Sequence, residues 1–336
     1  MKPMVLQDTP ALAIDNITKE YCQWQRSGNA RDIIKNLFHP EKRVVTALDH
    51  ISLQVKKGEF VAYAGANGAG KSTTIKILSG ILMPTEGTVS VLGLNPAKDR
   101  IKLMGQIGVL FGQRTELWWD HPVISSFQWK KEVWNIPDSV YKKNLEMVTD
   151  LLDLSDILKT FTRELSLGQR MRADIAMLLL HSPELIFLDE PTLGLDVLAK
   201  QQMIRFLKKI NLESKTTVVV TSHDMDDLEE MAQRIILINK GRIAFDGDFD
   251  ELRNVMGGFY RIVLTTAKEE TPLSIPGMRL LKTEGGVHEY EFDRNVLGIH
   301  KVMGLLSDFP QILDMEIKKA PIEDVVANLY LSWREN

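Results

Sequence analysis

Apolar and polar positions along the chain switch between two periods. Phe60-Val61-Ala62-Tyr63-Ala64 is a continuous apolar run, the mark of a short buried strand. Ile51-Ser52-Leu53-Gln54-Val55 alternates and is closed by Lys56-Lys57-Gly58, a strand and its turn. Ala11-Leu12-Ala13-Ile14, followed by Ile17, predicts an opening strand. Gly87 to Gly93 and Ile107-Gly108-Val109-Leu110 predict two more. From about Thr115 to Leu180 the period becomes helical. Leu145, Val148, Leu151 and Leu152 share one face of a helix that starts near Asp138. Leu165-Ser166-Leu167-Gly168-Gln169 opens another, with Ser166 as its cap and Gln169 three positions on, a capping-box pairing. Leu185 to Leu188 and Thr216 to Thr221 predict buried strands on either side of a helix from Val197 to Leu212. Arg234 to Asp246 predicts a hairpin around Asn239-Lys240-Gly241. Strands alternating with helices imply an α/β core with a largely parallel sheet.

Beyond Met256-Gly257-Gly258 the pattern changes. Tyr260 to Thr265, Met278 to Lys282, His288 to Phe292 and Ile312 to Ile317 predict strands, and Val296 to Leu306 and Pro321 to Trp333 predict helices. The chain therefore divides into a first domain over 1–255, with a helical subdomain at about 115–180, and a small α+β domain over 256–336. Near the start, Gln25 to Arg43 is basic, with Arg26, Arg31, Lys35, Lys42 and Arg43 against Asp32 and Glu41. Ile33, Ile34, Leu37 and Phe38 fall within it at helical spacing. It reads as a short amphipathic helix between two strands, either a solvated excursion or a partner- or membrane-surface element.

Composition changes little in this picture. The 336 residues are 44% hydrophobic and 26% charged, ordinary for a globular protein. A net charge of −4 gives no sign of a nucleic-acid partner. The single cysteine, Cys22, has no internal partner, which fits a reducing compartment. No stretch approaches the ~20 apolar residues that a membrane helix needs, and the start lacks a secretory pattern. The expected place is the cytosol, unless another chain brings the protein to a membrane.

The chemistry lies between the first buried strand and the helix beginning Ile75-Lys76-Ile77-Leu78. Gly65-Ala66-Asn67-Gly68-Ala69-Gly70-Lys71-Ser72-Thr73 sits there, and strand, glycine-rich loop and helix together make a P-loop. Its glycines let backbone N–H groups face phosphate oxygens, Lys71 would bridge the β- and γ-phosphates, and the Ser72 hydroxyl would ligate Mg²⁺. Asp189 and Glu190 end a strand expected beside the P-loop strand. Ligands bind at the carboxyl ends of strands in such sheets. Asp189 would hold Mg²⁺ through its water shell, and Glu190 would polarise an attacking water.

These motifs together resemble the ATPase subunit of an ATP-binding cassette (ABC) transporter, over roughly residues 11 to 250. The order is that of the family: the P-loop Gly65 to Ser72, the Q-loop glutamine Gln113, the signature Leu165 to Gln169, the strand bearing Asp189 and Glu190, the D-loop Gly194-Leu195-Asp196, and the switch histidine His223. Leu167 departs from the commonest signature, which has glycine there. The resemblance implies the ABC ATPase fold, a P-loop NTPase with a RecA-like core, an antiparallel β subdomain and an α-helical subdomain. It implies ATP and Mg²⁺ as ligands, with Ser72, Gln113 and Asp189 on the metal side and Glu190, His223, Gln113 and Lys71 in catalysis. It implies a head-to-tail pair of cassettes, expected as two identical copies, in which Ser166, Gly168 and Gln169 of one cap the nucleotide of the other and Asp196 lies at the junction. Tyr21 is the expected adenine-stacking ring, with Trp24 as the alternative.

Trp118-Trp119-Asp120-His121-Pro122 follows the Q-loop and reads as core or as the groove for a permease's cytoplasmic helix; the resemblance favours the groove. The run Phe111 to Arg114, Trp118-Trp119-Asp120 and the Arg170-Met171-Arg172 that follows the signature are similar to exporter ATPases for cationic drugs such as viologens or daunorubicin, whose permeases are separate chains. Such a subunit would sit at the cytoplasmic face of the membrane. The basic insert is similar to that of teichoic-acid and O-antigen exporters, the second reading, and some related systems serve pilus or envelope assembly. A soluble translation or repair ATPase is the rival class. The single P-loop and the lack of a long coiled coil argue against it, and intact Lys71, Asp189, Glu190 and His223 argue against an inactive module.

Overall fold

The structure, a computed structural model, describes residues 9–24, 42–112, 114–255, 257–267, 274–307, 309 and 312–335. It divides into two units, Met1–His223 with Asp227–Asp246, and Asp224–Asp226 with Gly247–Asn336.

The first unit carries two sheets. Strands β1 (Leu12–Trp24), β2 (Lys42–Val55) and β4 (Glu86–Val91) form an antiparallel sheet in the order β2-β1-β4. Both β1 and β2 run further than the alternation predicts. Register shifts between Ile14 and Glu20, with Asn16 at a left-handed φ of 52°, break the period of two. Pairing reaches Trp24 opposite Lys42, and the connecting residues 25–41, including the expected amphipathic helix, lie outside the described residues.

The second sheet has the order β5-β6-β7-β3-β8-β9. Its strands are β3 (Phe60–Gly65), β5 (Ile107–Phe111), β6 (Leu185–Asp189), β7 (Thr217–Thr221), β8 (Arg234–Asn239) and β9 (Arg242–Asp248). The first five pair in parallel, and the turn at Lys240–Gly241 leads into β9. All residues of β3 and β7 are buried, which is why they read as unbroken apolar or β-branched runs. The expectation that Asp189 ends a strand next to the P-loop strand is corrected. Strand β7 lies between them, with Phe60 to Ala62 in register with Val218 to Val220. Local pattern marks a strand as buried but does not say which buried strand it pairs with.

Helix α1 (Lys71–Leu78) follows β3, and α2 (Arg100–Met104) precedes β5. Helices α3 (Val123–Val133), α4 (Asp138–Leu151) and α5 (Leu167–Leu179) follow β5, with a short 3-10 turn at Thr162–Glu164. Helix α4 starts at Asp138 and buries Val148, and Leu152 just past its end is buried too. Helix α6 (Val197–Ser214) joins β6 to β7.

The second unit contains α8 (Phe249–Val255), β10 (Phe259–Thr266), β11 (Arg279–Glu284), β12 (Val287–Asp293), α9 (Ile299–Ser307), β13 (Ile312–Lys319) and α10 (Ile322–Glu335), after α7 (Met225–Met231), whose first two residues belong to this unit. Its antiparallel sheet has the order β11-β12-β10-β13. The unit's first strand thus lies between its third and its last, the order of ferredoxin-like split units. Ile262, Leu264, Tyr290 and Phe292 of the sheet pack with Val302 and Leu306 of α9 as its core.

Candidate functional site

The loop after β3 is shaped by two glycines that no other residue could replace. A Cβ on Gly65 would lie 2.4 Å from the Ile238 carbonyl oxygen of β8. Gly70 has φ +117°, and its Cβ would lie 2.8 Å from the Ala47 carbonyl oxygen. Between them the chain turns so that α1 begins at Lys71. The Lys71 side chain is buried to 7% exposure, and its ammonium donates to the Gly65 and Ala66 carbonyl oxygens at 2.6 and 3.3 Å. Burial lowers its pKa, and the carboxylates of Glu190 and Asp189 oppose that shift. A buried cation is thus held against the carbonyl oxygens of the loop.

The ends of β6 and β7 deliver the second half. The Ser72 hydroxyl donates to one Asp189 carboxylate oxygen at 3.2 Å. The Thr221 hydroxyl donates to the other at 2.6 Å. Glu190 N–H donates to the Thr221 carbonyl and hydroxyl oxygens at 3.0 and 3.2 Å. Glu190 itself has a left-handed φ of 58°, a strained backbone in a non-glycine residue. Its carboxylate stands 2.5 Å from His223 Nε2. So Lys71, Ser72, Asp189, Glu190 and His223 converge, although they come from the ends of two strands and a helix. Thr221, which holds the Asp189 carboxylate and the Glu190 backbone, was missed by sequence reasoning. A threonine at the end of a β-branched strand carries no mark, except that it directly precedes Ser222-His223.

Ser72 and Asp189 offer hard oxygen donors and few of them. That suits Mg²⁺, which keeps several waters and takes one or two carboxylates plus phosphate oxygens. Among the described residues no group of three His, Cys, Asp or Glu side chains could hold a metal alone, so the ligand set would be completed by the substrate. Gln113 lies outside the described residues.

The signature residues stand apart. Ser166 is exposed and caps α5, accepting from Gln169 N–H at 3.2 Å, while Ser166 N–H donates to Gln169 Oε1 at 2.9 Å. No described hydrogen bond or ion pair joins Ser166, Gly168 or Gln169 to residues 65–73 of the same chain. Leu167, which departs from the commonest signature, has its Cδ2 2.6 Å from where a Cβ on Gly194 would be, so it seats on the D-loop glycine. The Asp196 carboxylate caps α6, accepting from Ala199 N–H at 2.8 Å. Tyr21 lies in β1 opposite Val45, with the Lys19 ammonium 5.3 Å from its ring centroid. Trp24 pairs with Lys42 at the end of the same strand.

Trp118 and Trp119 are surface residues, at 38% and 52% exposure. Trp118 meets His121 edge-on at 5.3 Å and Trp129 at 5.5 Å between ring centroids. Trp118 and Trp129, with Lys130, Val133, Trp134 and His181, border a groove of about 380 Å³. Burial pushes the His181 imidazole down to about 4, with Lys130 adding to the effect. Among the described residues no helix is long and apolar enough to cross a membrane.

Comparison with known proteins adds the family context. Residues 48–193 match the family model described as "ABC transporter". The chain is 32% identical over 254 residues to ABC transporter A family member 1 of Dictyostelium discoideum, covering 73% of this chain and 28% of that one. It is 34% identical over 221 residues to the methionine import ATP-binding protein MetN of Carboxydothermus hydrogenoformans, covering 64% and 65%. It is 30% identical over 215 residues to the ABC transporter ATP-binding protein NatA of Bacillus subtilis, covering 64% and 87%. The first two matches thus span less than two thirds of those relatives. Among solved structures, an ATP-binding cassette described as a dimeric post-hydrolysis state bound to ADP and Pi aligns with a TM-score of 0.59 at 25% identity. That alignment covers 70% of this chain and 98% of the other. The fold is that of ABC ATPases, as the motif order implied.

Proposed function

Because the chain belongs to the ABC transporter family of ATP-binding proteins, we propose that it is the ATP-hydrolysing subunit of an exporter whose membrane permease is a separate polypeptide. The observation that carries this reading is the convergence of Lys71, Ser72, Asp189, Glu190 and His223 at one end of the parallel sheet. Lys71 holds charge on the β- and γ-phosphates, and the N–H groups of the loop and of α1 surround them. Ser72 and Asp189 would hold Mg²⁺. A metal held there would supply charge neutralisation at the phosphate oxygens. Glu190 takes the proton of the attacking water, and His223, at 2.5 Å from it, fixes that carboxylate's position. Phosphate release from Mg-ATP by the purified chain tests the activity. Release no greater than that of a Lys71→Ala variant would refute it.

Ser166 and Gly168 stand at the exposed N-terminus of α5, away from their own loop. A second copy of the chain supplies its α5 to this loop, and this chain's α5 caps the γ-phosphate held by that copy in return. Tyr21 or Trp24 stacks on the adenine, and Asp196 sits at the junction of the two copies.

The groove beside Trp118 is the permease dock. Two half-exposed aromatic rings just after Gln113 offer a large apolar area for an interface. Replacing Trp118 and Trp119 with Ala should leave basal hydrolysis and the melting temperature close to wild type and abolish co-purification with the permease. A core pair would instead cost about 3–5 kcal/mol per ring and drag the melting temperature down. A large fall in melting temperature together with lost basal hydrolysis would refute the docking role.

The relatives run both ways, a methionine import protein on one side and bacitracin transport and probable multidrug transporter proteins on the other. The run after Gln113 and the residues that follow the signature support export of an amphipathic drug-like compound. Transport of such a compound by vesicles carrying subunit and permease together, lost without ATP, tests this finer reading.

A further inference from the structure

The segment that leaves β5 is fastened at both of its ends. Gly112 N–H donates to the Asp189 carbonyl oxygen at 3.1 Å, which ties the strand's exit to the metal-side carboxylate residue. A few residues on, two donors converge on one oxygen. The Thr115 hydroxyl and Glu116 N–H donate to Asp174 Oδ1 at 2.8 and 3.1 Å. Leu117 N–H then donates back to the Thr115 hydroxyl oxygen at 3.1 Å, closing the turn. Asp174 is buried to 7% exposure and lies on α5 eight residues past the cap Ser166, a little over two helical turns. On its other side the same segment is held by α3. Trp118 N–H donates to the fully buried Ser126 hydroxyl at 2.9 Å, and the buried Lys130 ammonium reaches Glu116 at 3.4 Å.

A buried carboxylate that spends one oxygen on two consecutive donors from a loop fixes that loop to its helix. Helix α5 moves as a unit, because its backbone bonds are internal and its start is closed by the capping box. Resting on the reading of this chain as a cassette ATPase, we propose that Asp174 is a positioning residue that couples the exit of β5 to the signature end of α5. A displacement at Gly112, beside Asp189, is passed through Thr115 and Glu116 to Asp174, and so to Ser166 and Gly168. Asp174 does not touch nucleotide. It sets whether the signature end is presented to the second copy when ATP is bound.

Asp174→Ala leaves the part-buried Thr115 hydroxyl and Glu116 N–H without their acceptor. Asp174→Asn keeps a carbonyl oxygen in the same place. For Asp174→Ala, ATP affinity of the isolated chain should stay within about twofold of wild type, while kcat falls by about tenfold or more. On a Glu190→Gln background the same change should weaken Mg-ATP-driven dimerisation by about tenfold, read by size-exclusion chromatography. Asp174→Asn should recover kcat and dimerisation to within about threefold of wild type. If Asp174→Ala does not fold, Thr115→Val removes one of the two donors and should lower kcat by about threefold to fivefold with KM for ATP unchanged. Wild-type kcat in Asp174→Ala, or in Thr115→Val where the first does not fold, overturns the proposal. So does an ATP affinity that falls in step with kcat, as does an Asp174→Asn variant as impaired as Asp174→Ala. The unaltered chain run alongside separates the two levels. If it fails to hydrolyse Mg-ATP, the cassette reading falls and this proposal with it; if it hydrolyses and the variants match it, only the coupling role falls.

Discussion

Glu190→Gln is expected to slow ATP turnover by about 10²–10⁴-fold while ATP still binds. The amide has the shape of the carboxylate but cannot take up the proton of an attacking water. In the structure the Glu190 carboxylate lies 2.5 Å from His223 Nε2, and its backbone N–H is held by Thr221. A glutamine fits the same contacts, so the strained backbone at φ 58° is kept and the fold should melt as wild type does. The carboxylate's repulsion of the γ-phosphate disappears with its charge. An ATP-bound dimer should therefore accumulate, visible by size-exclusion chromatography in Mg-ATP. A variant that turns over at the wild-type rate would show that Glu190 is not the base.

Lys71→Ala is expected to remove hydrolysis altogether. Removing one charge-stabilising group from a transition state costs about 2.7–4 kcal/mol, or 10²–10³ in rate, and here the ground-state hold on the β- and γ-phosphates is lost as well. Lys71 is buried, and its ammonium bonds to loop carbonyl oxygens that would otherwise face one another. The Gly65 carbonyl contact is buried, so losing the ammonium leaves that oxygen without its donor and should also lower the melting temperature. ATP affinity, read by titration calorimetry, should fall with turnover. Hydrolysis by Lys71→Ala within a few-fold of wild type would place the phosphate site elsewhere.

The parts legible in the sequence are those written in local pattern. The run Phe60 to Ala64 is buried on both faces, so its composition alone marks it as a strand. The capping box at Ser166 and Gln169 is a spacing of three, and both of its hydrogen bonds form. The helix starting at Asp138 and the strand and helix succession of the second unit were likewise set by period. What could not be read depends on contacts far along the chain. The place of β7 between β3 and β6 is decided by pairing, and any of three buried runs could fill it. The length of β1 is hidden by its register shifts, which interrupt alternation where the strand continues. Thr221 and Asp174 gain their roles only when β6, β7 and α5 bring distant donors and acceptors within 2.6 to 3.2 Å. The fit of Leu167 onto Gly194 is of the same kind, since a leucine in place of the usual glycine has meaning only beside the residue that lacks a Cβ.

We propose that one chain holds half of each hydrolytic site, since no described hydrogen bond or ion pair joins Ser166 or Gly168 to the loop that contains Lys71. Hydrolysis of Mg-ATP per subunit, measured across a series of protein concentrations, tests it most directly. Specific activity is expected to rise with concentration and then level off as the dimer fills. Activity strictly proportional to protein, with the same rate per subunit at every concentration while the chain remains a monomer, would contradict it.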